Sequence, residues 1–147
     1  MHSFTSKCLK MIIIVIFQLF FISNSTYSDH LTAKVIGFED ATSPIYVWGY
    51  DRKFYFEENS APLFIVVERD INNFNKINLK AFPHIKIGLF AFQDLNKDGK
   101  FSIDFKGEPL EPFGFSLNNS SKYKDIVFED IVFDMEKFID LEIKLRK

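Results

Sequence analysis

The chain has 147 residues, 47% of them hydrophobic and 26% charged, with a formal net charge of −2. A single domain with one core is therefore expected, and the basic footprint of a nucleic-acid-binding protein is excluded. Its single cysteine, Cys8, rules out an internal disulfide. Because Cys8 lies in the N-terminal segment described next, it also leaves the body of the chain without a thiolate metal site or cysteine nucleophile.

Lys7 and Lys10 precede an apolar run from Met11 to Ile22, and small and polar residues follow it. This is the layout of a secretory signal peptide. The run is 12 residues long, short of the roughly 20 that a membrane-spanning helix needs. Thr26 and Ser28 supply small side chains three residues and one residue before a cut after Ser28. A cut after Ser25 also fits, and retention as an uncleaved anchor is the remaining alternative. The expected organisation is a signal peptide over 1–28 and one domain over 29–147, exported to the periplasm or outside the cell, with no stable membrane span after cleavage. Loss of Lys7 and Lys10 leaves 16 basic residues against 20 acidic ones, a net charge of −4. Without disulfides the domain is held by its core, and the phenylalanines supply it, 15 of the chain's 19 lying beyond residue 28, each worth on the order of 2 to 3 kcal/mol when buried.

Along the mature chain, short apolar segments alternate with turn residues. Leu31 to Phe38 and Pro44 to Tyr50 are rich in β-branched and aromatic residues, and "APLFIVVERD" makes a third predicted strand. "KINLKAF" places Ile77, Leu79 and Ala81 on one face. "HIKIGLFAFQD" does the same with Ile85, Ile87, Leu89 and Ala91. "DIVFEDIVFDMEKF" fits helical spacing through Phe128, Ile131, Met135 and Phe138, yet its Ile-Val-Phe triplets favour strands and no helix cap stands out. A strand over Asp130 to Met135 is expected there. The last run sets Ile139, Leu141, Ile143 and Leu145 against Asp140, Glu142, Lys144 and Arg146, the pattern of a half-buried strand. About seven short strands at this spacing imply an all-β chain, a single antiparallel β-sandwich of immunoglobulin-like or transthyretin-like kind.

Within this framework "DLNKDGKFSID" carries the only pattern that points to an ion. Asp94, Asn96 and Asp98 stand at alternate positions before Gly99, as in loops that converge oxygens on Ca²⁺. The Lys100 carbonyl, the Ser102 hydroxyl and Asp104 follow as further ligands. An EF-hand is excluded, because Phe105 stands where the bidentate glutamate belongs and no helical pattern flanks the loop. The same residues also fit a polar turn in which Asp and Asn side chains accept backbone amides. Three formally charged side chains around one point repel one another unless an ion lies between them. The expected affinity is about 10⁻⁴ to 10⁻³ M, the range of extracellular modules.

The stretch "GLFAFQDLNKDGKFSIDFKGEPLEPFGFS" resembles the hallmark of an exported bacterial family, domain of unknown function 2141. The motif falls on Asp94, Asn96, Asp98, Gly99 and Gly107, then on Pro109, Glu111, Gly114, Phe115 and Ser116, and "KDIVFEDIVF" is similar to that family's segment before its final strand. The resemblance covers Ile85 to about Phe133. It implies a small periplasmic or secreted β-sandwich with no established activity. It also links Glu111 to the acidic loop, so that Glu111 or Glu108 could supply the missing carboxylate.

Other constellations are weaker. Tyr46, Trp48 and Tyr50 share one strand face, which could stack on a sugar or meet a lipid but equally suits packing under a loop. An internal cavity is the other form of that reading. His30 and His84 are the only mature histidines, and neither has the company that zinc or nucleophilic catalysis requires. The adjacent pairs Glu57–Glu58 and Glu129–Asp130 point to opposite faces of a strand and read as solvated charge. The expectation is a non-enzymatic exported protein with a Ca²⁺-stabilised loop whose ligands are Asp94, Asn96, Asp98, Lys100, Asp104 and Glu111. Its partner would be a protein or other component of the cell envelope. The alternative is a small carbohydrate- or lipid-binding module.

Overall fold

A computed structural model of the chain describes residues 31–52, 61–79, 85–117, 126–135 and 140–147. The expected signal peptide, Cys8, both histidines, Glu57, Glu58, Ala81, Phe138 and Ile139 lie outside the described residues. The strands are β1 (Leu31–Ile36), β2 (Ile45–Tyr50), β3 (Phe64–Glu68), β4 (Ile77–Leu79), β5 (Lys86–Gln93), β6 (Phe113–Phe115), β7 (Val132–Asp134) and β8 (Asp140–Lys144). Among the described residues, one turn of helix, α1 (Phe128–Ile131), and a 3₁₀ turn at Ile71–Asn73 complete the regular structure. The chain is all-β, as its alternation implies.

The strands form two sheets, one ordered β4-β1-β8 and the other β3-β2-β5-β6, with β7 also on β5. Gly88 of β5 pairs with both Tyr50 of β2 and Val132 of β7, so β7 and β6 lie end to end along the same edge of β5. The facing sides of the two sheets share a core. Ala33, Val35, Ile77, Leu141 and Ile143 come from the smaller sheet, and Ile45, Val47, Ile87, Leu89 and Ala91 from the larger. The sheets meet at one side, where Phe113 and Arg146 exchange backbone hydrogen bonds of 2.9 and 2.8 Å.

Two features correct the sequence reading. β1 and β8 run parallel, in register from Thr32–Asp140 to Ile36–Lys144, so the smaller sheet is mixed rather than antiparallel. Antiparallel pairing follows from short turns, whereas the paired Thr32 and Asp140 stand 108 residues apart and no turn dictates their direction. The second correction concerns the expected strand from Asp130 to Met135. Asp130 and Ile131 belong to α1, and only Val132–Asp134 is strand. Both periodicities are used in succession: Phe128 and Ile131, three apart, enter one core, and Phe133 enters the other. Gly88 makes room for this turn, since a Cβ there would stand 2.8 Å from the Ile131 side chain.

β5 is buried on both faces from Ile87 to Gln93. On its outer face Phe90 and Phe92 lie between Trp48 and Tyr46 of β2 and Phe115 and Phe113 of β6. These aromatics form a second core with Tyr50, Phe128 and Ile131. The phenylalanine excess therefore builds two apolar layers, and the loop that leaves β5 is fastened to the outer one.

Candidate functional site

The site begins where β5 ends. Gln93 is fully buried, and its side chain accepts the Glu39 amide at 2.7 Å while donating to the Asp40 carbonyl. It thereby fixes the 39–43 loop beside the acidic one. In that neighbouring loop the Ser43 hydroxyl holds the Asp40 carboxyl below the usual carboxylate range, helped by Thr42 and by the charge of Lys97.

Asp94 follows and is 1% exposed. Its two carboxylate oxygens accept the amides of Asp98 at 3.2 Å and Gly99 at 2.9 Å. The chain reverses through two left-handed residues, Lys97 at φ 62° and Gly99 at φ 78°. Space does not demand the glycine, because a Cβ would meet only the Tyr46 hydroxyl at 3.4 Å; the positive φ does. Asn96 Oδ1 accepts the Asp98 amide at 3.1 Å, while its side-chain nitrogen donates to Asp98 Oδ2 at 3.1 Å and Ser102 Oγ at 3.2 Å. The Lys100 amide donates to Asp98 Oδ1 at 2.8 Å.

Glu111 closes the loop from outside. It is 3% exposed, and its carboxylate accepts the Leu95 amide and the Ser102 amide, both at 2.9 Å. One side chain thus holds both ends of the segment. Burial raises the Glu111 carboxyl above the usual range, amides of Ser102, Leu95 and Asn96 oppose this, and the charge of Asp94 adds to it. Phe101, between the two clamps, packs on Phe90 and Phe92 with ring centroids 4.9 and 5.4 Å away.

Asp104 is committed elsewhere. Its Oδ1 accepts the amides of Lys106 and Glu108, both at 2.8 Å, and its carbonyl accepts that of Gly107 at 2.9 Å. Asp104 therefore caps the tip of a small hairpin, Ser102 to Leu110, tied by Asp104 N–H to the Glu108 carbonyl and Leu110 N–H to the Ser102 carbonyl. So the structure brings Asp94, Asn96, Asp98 and Glu111 onto one loop, with Lys100 and Ser102 joining through their amides, and turns Asp104 into the next turn. Among the described residues no three carboxylate, imidazole or thiol groups gather where they could hold a metal. The oxygens available to an ion are a mixed set of carboxylate, amide and hydroxyl, which suits a hard cation such as Ca²⁺ and no softer metal.

Of the aromatic face, Tyr50 is 2% exposed and Tyr46 and Trp48 are half-buried. Tyr46 stacks on Phe92 at 5.1 Å, and Trp48 sets its edge against Phe90 and Phe92. Sequence reasoning gave no structural role to three residues. Gln93 and Phe101 carry no motif, though a glutamine ending an apolar strand is a signal of a buried polar partner. Ser116 is fully buried, and its hydroxyl accepts the Leu89 amide at 2.8 Å and donates to the Ile131 carbonyl at 2.5 Å, bridging the gap between β6 and β7.

Residues 33–140 match the family model described as uncharacterized protein conserved in bacteria (DUF2141). No curated protein and no solved structure matches the chain. The matched span takes in the acidic loop, its Glu111 clamp and six of the strands, β2 to β7, in full. On that span the chain belongs to the domain of unknown function 2141 family.

Proposed function

We propose that this is an exported, non-enzymatic β-sandwich of immunoglobulin-like or transthyretin-like kind, serving a structural or interaction role in the cell envelope, whose 94–104 loop is stabilised by Ca²⁺. The observation that carries this reading is the buried Glu111 carboxylate holding both ends of the loop beside the buried Asp94. Two buried carboxylates facing one loop repel, and a cation is the group that relieves them. Asp94, Asn96, Asp98 and Ser102 supply side-chain oxygens and Lys100 its carbonyl, with Glu111 completing the set. Asp104 is set apart from these ligands by its position on the next turn, where its Oδ1 accepts the Lys106 and Glu108 amides. The Asn96 side-chain nitrogen, between Asp98 and Ser102, lies where a cation would compete. A half-turn of that amide turns its oxygen inward instead. Bound calcium supplies charge neutralisation and rigidity, and the hairpin beyond becomes a fixed surface.

Limited trypsin digestion of residues 29–147 tests this at Lys97 and Lys100. Calcium is expected to slow cleavage there in the native chain and not in Asp98→Ala. Equal cleavage with calcium and with chelator would refute the reading.

A further inference from the structure

The 102–110 hairpin presents apolar side chains outward instead of inward. Phe105 at its tip is 93% exposed, and Ile103 and Leu110 on its two arms are each 51% exposed. From the geometry we infer that this hairpin is a membrane-docking tip that seats Phe105, Ile103 and Leu110 in the interfacial layer of a lipid bilayer with anionic headgroups. The inference rests on reading the hairpin as the interaction surface.

Three observations favour lipid over a protein partner. The first is backbone satisfaction, which a segment entering an apolar layer requires. The amides of Asp104, Lys106, Gly107, Glu108 and Leu110 are taken by acceptors within the hairpin, Pro109 has none, and the Ser102 amide is held by Glu111, which leaves the Ile103 and Phe105 amides to the water and headgroups of the interfacial layer. The second is area. Three such side chains expose roughly 300 to 400 Å² of apolar surface, well below the ~800 Å² per partner of a standard protein interface, whereas interfacial insertion needs only a few apolar side chains.

The third is charge. Lys106 is exposed beside the tip, its ammonium 5.5 Å from the Phe105 ring centroid, and Lys100 is exposed on the loop that leads into the hairpin. The flexible Lys106 stem can reach a headgroup phosphate while the ring goes deeper. Asp104 turns its carboxylate onto the hairpin's own amides. That leaves Glu108 as the exposed acid on the hairpin itself.

Flotation of residues 29–147 with vesicles tests the inference, since that span holds all the described residues of both sheets and both cores. Vesicles of phosphatidylethanolamine with phosphatidylglycerol form one arm and pure phosphatidylcholine the other. The native chain is expected to float with the anionic vesicles, and Phe105→Asp, which leaves the core untouched, to lose about tenfold or more of the bound fraction. A second readout is Phe105→Trp, whose added fluorescence should shift to the blue and be quenched by brominated lipid. No flotation of the native chain, or equal flotation of Phe105→Asp, overturns the proposal. So does self-association abolished by Phe105→Asp, which would assign the tip to a second copy. A calcium effect on melting, measured on the same samples, reports separately on the loop.

Discussion

Glu111 holds the acidic loop through a carboxylate with two acceptor oxygens, one for each end of the segment. Glu111→Gln keeps the shape but replaces one acceptor with a donor, leaving the Leu95 or Ser102 amide facing an NH₂ group. A loss of about 1 to 3 kcal/mol is expected in urea denaturation. The pH dependence has a definite sign in calcium-free buffer. Because burial raises the Glu111 carboxyl, the folded chain binds its proton more tightly than the unfolded chain. This contribution is fully present below the ordinary glutamate value of about 4.3 and is lost as pH rises through the raised one. The advantage of the native chain over Glu111→Gln should therefore be larger at acid pH than at neutral pH; an advantage that grows with pH would contradict the assignment. Trp48 is the other instructive residue. It packs on Phe90 and Phe92 while its buried indole nitrogen has no hydrogen-bond partner. Trp48→Ala is expected to lower stability by at least ~2 kcal/mol, so loss of a ligand in that variant counts only beside a folding control. Asp94, Asn96 and Asp98 were legible in the sequence through their alternate spacing before Gly99. The turn-capping by Asp104 was not, because an acid that faces an ion and an acid that caps a turn look alike until the chain's path is known.

Among the elements, β6 carries the joint between the sheets and tests the packing most sharply. A Cβ on Gly114 would stand 2.5 Å from the Lys144 carbonyl oxygen, and backbone yields less readily than a side chain. Gly114→Ala should cost more than the ~1 to 3 kcal/mol usual for overpacking, read as a fall in melting temperature. Ser116→Ala leaves the Leu89 amide and the Ile131 carbonyl without their bridge between β6 and β7. About 1 to 3 kcal/mol is expected from that loss. Alternation made most strands readable, since Leu141, Ile143 and Leu145 are buried as the spacing requires. What alternation could not convey was direction or the switch within the 126–135 segment. A period-two pattern is the same read either way, so nothing local distinguished a parallel β8. The helical turn depends on a glycine forty residues earlier in the chain, at position 88, a relation that no window of sequence contains.

For the whole molecule, two sheets, an inner aliphatic core and an outer aromatic one position a loop and a hairpin at one end of β5. The phenylalanine count announced a large core, but its division into two layers depends on which strands lie beside β5, and composition carries none of that. The placement of Phe101 on the outer layer ties the acidic loop to the fold. Any gain in loop rigidity should therefore be felt as global stability. Calorimetric titration of residues 29–147 with Ca²⁺, paired with thermal melting of the same samples, tests this most directly. Heat saturating at one ion per chain and a rise in melting temperature are expected, both lost in Asp98→Ala. A native chain that shows neither heat nor a change in melting temperature would contradict this expectation.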